Sequence, residues 1–130
     1  MLPVRLRALI FASALLFGSL AWAGTPSAAA QAEIAHLLAH LRTSGCEFRR
    51  NGTWYSATDA AAHLERKKQY LVKHAQIESA EGFIEKAASK SSMSGEPYLV
   101  RCQLHQTVPS AVWLRAELDR FRGSGGVPPI

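Results

Sequence analysis

Cys46-Glu47-Phe48-Arg49-Arg50-Asn51-Gly52-Thr53-Trp54-Tyr55 is the stretch on which the fold turns. Asn51-Gly52 is the pair that best tolerates positive φ at both centres of a tight turn. The residues on either side are extended in character, so a hairpin of two short strands is predicted. Such a hairpin is marginal in water by itself and needs a third strand or a helix to lie on. The natural third strand is Pro97-Tyr98-Leu99-Val100-Arg101-Cys102. Cys46 and Cys102 are the only cysteines, so one intramolecular pairing is available. A bond between them would hold the two Cα atoms within about 6 Å. It would close a loop of about 57 residues, worth on the order of 4 kcal/mol in the chain-entropy model.

A disulfide needs an oxidising compartment, and the start of the chain gives a reason to expect one. Residues 1–23 carry Arg5 and Arg7, an apolar run from Ala8 to Leu20, and then Ala21-Trp22-Ala23, the layout of a secretory signal cut after Ala23. The run of about 13 residues is short of the roughly 20 that a membrane span requires. Arg5 and Arg7 are not adjacent, and no cysteine follows the run closely, so neither a twin-arginine signal nor a lipoprotein is expected. A periplasmic chain that does not span the membrane after cleavage is expected. It would comprise one domain over 24–122 and a disordered tail over 123–130, where three glycines and two prolines gather. Removing Arg5 and Arg7 takes the formal charge from +5 to +3. The remaining basic residues are interspersed with acids, as in Glu65-Arg66-Lys67-Lys68, which makes nucleic acid a poor candidate partner.

Working outward from the hairpin, Ile34, Leu37, Leu38 and Leu41 recur at helical spacing and predict a first helix from about Ala32, capped by Gly45. The small-residue stretch before it is expected to fray. Ser56-Ala57-Thr58-Asp59 has the pattern of a capping box and predicts a second helix that buries Ala57, Ala60, Ala61, Leu64 and Leu71, with Lys68 snorkelling beside them. A third helix is placed from Ser79, burying Ala80, Phe83, Ile84 and Ala87. A fourth is capped by Ser110 and buries Ala111, Leu114, Leu118 and Phe121, with Trp113 packing off the stripe. The fold class is therefore mainly α within an α+β frame: about four helices, a small two- or three-stranded antiparallel β element, and one disulfide.

Little in this pattern carries chemistry. Glu33, His36 and His40 share a helix face, but Leu37-Leu38-Ala39 lacks the glutamate of a catalytic zinc helix, so a solvated polar face is expected and no metal. His63 and His74 lie about 16 Å apart along one helix, too far to share a ligand. The serines sit in no nucleophile elbow, and a disulfide-bonded Cys46 is no nucleophile. No cofactor is expected.

Taken together, Ser44-Gly45-Cys46-Glu47-Phe48, Arg50-Asn51-Gly52, His63-Leu64 with Lys67, Phe83-Ile84 before Ala88-Ser89-Lys90-Ser91-Ser92, and Ser94-Gly95 with Pro97-Tyr98 are similar to a known set. The chain resembles the YfeK-like family of small exported bacterial proteins over roughly Glu33 to Phe121. That resemblance implies export and a compact domain; the family's domain has no assigned function and supplies no catalytic residue. The polar members, Arg50, Asn51, His63, Lys67, Ser91 and Ser92, converge if the disulfide draws the hairpin and the serine loop together. They are the candidate surface for a small ligand or an envelope partner. A non-enzymatic binding domain is the leading expectation, and a small periplasmic hydrolase or metal-dependent enzyme the alternative.

Overall fold

The hairpin forms where the Asn51-Gly52 pair demands it, with φ of 49° and 81° at the two turn residues. In the computed structural model, which describes residues 25–126, β1 (Glu47–Arg50) and β2 (Thr53–Ser56) pair antiparallel, Phe48 opposite Tyr55. β3 (Leu99–Arg101) joins the other side of β1 with Glu47 opposite Arg101. That register sets Cys46 against Cys102, and the two are bonded with Cα atoms 4.4 Å apart. Beyond the two or three strands expected there is a fourth, β4 (Val108–Pro109), giving the antiparallel order β2-β1-β3-β4. Two residues are too few to show an alternation, and Pro109 is tolerated because the strand lies at the sheet's edge.

Among the described residues four helices form the rest of the core, the second and fourth lying directly against this sheet and the first and third packing on them. α1 (Ala28–Thr43) buries Ile34, Leu37, Leu38 and Leu41. It begins four residues earlier than the apolar period indicates, because Ser27 accepts a hydrogen bond from the Ala30 N–H and caps what looked like a frayed stretch. α2 (Ala57–Lys73) starts directly from β2, with Ser56 serving as the last strand residue and as the cap that accepts from Asp59 N–H. α3 (Ala80–Ala87) is capped by Ser79 and packs Phe83 and Ile84 inward, next to a fully buried Ile77 in the connection before it.

In α4 (Ser110–Gly123) the expected cap differs. Pro109 occupies the cap position, and Ser110, itself buried, donates its hydroxyl to the Ala88 carbonyl at the end of α3. Phe48 and Val100 face the helices and join their core, while Glu47, Arg49 and Arg101 lie exposed on the other side of the sheet. There the Arg101 guanidinium stacks 3.8 Å above the Trp54 ring centroid. Trp113 packs edge-on against Phe48. The predicted signal segment and the last four residues lie outside the described residues.

Candidate functional site

Three local features bring chemistry to one place. The tight turn leaves Arg50 at the end of β1. The direct passage from β2 into α2 then sets His63 and Lys67, four residues apart and so on one helix face, over the hairpin. The turn itself is fastened to the serine loop: the Asn51 amide donates to Ser91 Oγ at 3.2 Å, and its carbonyl oxygen accepts from Ser94 Oγ. Tyr98, just before β3, completes the wall, with its N–H on the Ser89 carbonyl and its carbonyl accepting from Ser110 N–H.

All six residues singled out from the sequence, Arg50, Asn51, His63, Lys67, Ser91 and Ser92, line one open cleft of about 400 Å³. Their parts in it differ. Ser91 is buried, and its hydroxyl receives Asn51 and the N–H groups of Met93 and Ser94, so it shapes the loop. Ser92 is exposed at the cleft edge. Two tyrosines that were not singled out as site residues, Tyr55 and Tyr98, join the lining with Thr53 and Met93.

Arg50 Nη1 lies 2.8 Å from His63 Nδ1 and 3.1 Å from Nε2, and Nη2 donates to Tyr55 Oη at 3.4 Å. A guanidinium can only donate. His63 is therefore assigned as neutral, accepting at Nδ1 and carrying its proton on Nε2, which faces Tyr98 Oη at 3.3 Å. Lys67 Nζ donates to the same phenol oxygen and to the Lys90 carbonyl, both at 3.1 Å. The phenol oxygen thus receives two donors and keeps its own proton to give.

Electrostatics agree with that assignment. Burial, then the charges of Arg50, Lys67 and Arg66, hold the His63 imidazole down at about 4. Burial and then Arg50 lower the Lys67 ammonium, and burial raises the Tyr98 phenol with Arg50 opposing it. No carboxylate among the described residues forms an ion pair with Arg50 or Lys67. The free hydrogen-bonding capacity of the cleft is therefore mostly that of donors: guanidinium, ammonium and phenol.

The first helix's polar face is occupied instead of solvated. His36 Nε2 lies 2.7 Å from Glu117 Oε1, and His40 Nε2 lies 3.6 Å from Oε2. The two rings stack on Phe121 and Trp113. Glu33 turns away to Arg122, which also holds Glu81, so one guanidinium ties α1, α3 and α4. Glu33, His36 and His40 thus face protein partners and do not form a common ligand set. Burial pushes the Glu117 carboxyl up, but hydrogen bonds from His36 and Arg120 outweigh it and hold the group below its ordinary value.

A protein-family model described as a family of unknown function, DUF5329, matches residues 28–122. No curated protein and no solved structure matches the chain.

Proposed function

Because the chain belongs to DUF5329, a family of unknown function, we propose its role from the cleft: a small exported protein that binds an anionic group without transforming it. The observation that carries this reading is the pair of cations, Arg50 and Lys67, set beside a neutral His63, with no carboxylate among the described residues ion-paired to either cation. Two partly buried cations that repel each other are offset when an anion enters, and charge-assisted hydrogen bonds are the strong ones. Binding is favoured over hydrolysis because His63 faces a guanidinium, whereas the histidine of a hydrolytic triad faces a carboxylate that supports its positive charge.

The test is a titration of the mature chain with acetate and with inorganic phosphate at low salt, followed by the proton resonances of the His63 and Tyr98 rings. Saturable shifts are expected in the native protein. In Arg50→Ala/Lys67→Ala they should vanish, while the urea midpoint changes little. Native protein whose resonances stay still at concentrations that saturate millimolar sites would end this reading.

Export belongs to the same proposal. It is supported by the basic, apolar and small-residue order of residues 1–23 and by the similarity to the YfeK-like proteins. Periplasmic material should show an intact mass that begins at Gly24; full-length chain retained in the cytoplasm would count against it.

A further inference from the structure

The cationic cleft has a second side. Arg50, Tyr55, His63 and Tyr98 also line another cavity of about 230 Å³. Its floor is the buried pair Phe48 and Leu64 with Ala60 beside them. Asp59 and Arg66, both exposed, belong to its lining as well, and so does Arg49. One half of the site thus offers mostly hydrogen-bond donors, and the adjoining half is floored by apolar side chains. Water serves neither half well, because it cannot neutralise the cations and gains little against the apolar floor.

We infer that the ligand is a small amphiphile, with an anionic head held between Arg50 and Lys67 and a short apolar body lying over Phe48, Ala60 and Leu64. The inference rests on the anion-binding reading and goes beyond it by fixing the ligand's second half. Arg50 is the hinge of the arrangement, since it belongs to both cavities while Lys67 belongs only to the polar one. The head therefore sits on the side of Lys67, and the body passes the Arg50–His63 wall. At about 30 Å³ for each methylene-sized group, taken as the share of a water, the smaller cavity holds roughly eight. A carboxylate or a phosphate would serve as head, because both accept from the same three donors.

The experiment is calorimetric binding to the mature, disulfide-bonded chain of two series of equal chain lengths, straight-chain carboxylates from acetate to decanoate and monoalkyl phosphates, each below its micelle threshold. Affinity is expected to tighten about fourfold for each added methylene and to level off near eight carbons. Growth in only one series would identify the head and support the inference. Ala60→Phe, which fills the apolar cavity from the side of α2, should abolish the dependence on length. If the native protein binds acetate or phosphate but gains nothing with length in either series, the amphiphile is refuted and the anion site stands. If no anion binds, both fall. Undiminished length dependence in a folded Ala60→Phe would overturn the location, and the series on the native protein decides the ligand class even if that variant does not fold.

Discussion

At His63, folding takes an imidazole out of water and sets it against Arg50, with Lys67, Arg66 and the Tyr98 hydroxyl around it. Its affinity for a proton falls from an ordinary 6.5 to about 4, so between those values the unfolded chain holds the extra proton. Stability must then rise with pH across that window: the contribution is complete above 6.5 and is lost as the pH falls through 4. Urea midpoints measured between those limits should decline with acid more steeply in the native protein than in His63→Gln, and equal slopes would contradict the neutral assignment. His40, lowered mainly by burial, and Glu117 act in the same sense and persist in both proteins. The six polar residues of the cleft were legible only as the polar members of the motifs that carry the family resemblance, since no local pattern around His63 or Lys67 in the middle of α2 marks them out. Tyr55 and Tyr98 were not, because an aromatic residue within an alternating strand pattern reads as core. Glu117 was missed for a related reason. It stands three residues after Leu114, on the inner stripe of α4, and only a partner on another helix could explain a carboxylate there.

Two helices end with the same hydrogen bonds made by different residues. After α4, Gly125 takes φ of 76°, and the N–H groups of Gly125 and Gly126 return to the carbonyls of Arg122 and Phe121. After α2, Ala75 takes φ of 54°, and the N–H groups of Ala75 and Gln76 return to Val72 and Leu71. A left-handed alanine carries a steric cost of roughly 1–2 kcal/mol that glycine avoids, offset in part by the greater freedom of glycine when unfolded. Ala75→Gly is therefore expected to stabilise the protein by about 0.5–1 kcal/mol in urea denaturation; a loss of stability would mean that the alanine methyl is packed usefully. Helix starts were the more readable ends. Ser56 and Ser79 cap as their spacing indicates, whereas Ser27 was obscured by small residues around it. Ser110 has the right residue type at the right place and yet serves the Ala88 carbonyl, a contact between two helices that no local pattern encodes.

Across the whole molecule, the Cys46–Cys102 bond joins residues 56 apart in sequence and fixes β1 beside β3, so the sheet, the hairpin and the serine loop share one constraint. Replacing both cysteines by alanine should cost about 2–5 kcal/mol, read from denaturant unfolding, with the helices retained. A change below 1 kcal/mol would show that the β3 pairing needs no covalent support. This bond was the most legible feature of the fold, since two cysteines allow one pairing. The fourth strand and the cover over the first helix's polar face were not, because both arise from contacts between distant segments. Every residue of the cleft lies between the two cysteines in sequence. Considered mechanically, a force applied to the two ends of the chain would run through α1, cross the sulfur bridge and leave through α4. The part of the molecule that holds the cleft would hang beside that line and bear no direct tension. A fully drawn-out chain would stay about 200 Å shorter than its residue count allows, at roughly 3.5 Å for each residue in the loop.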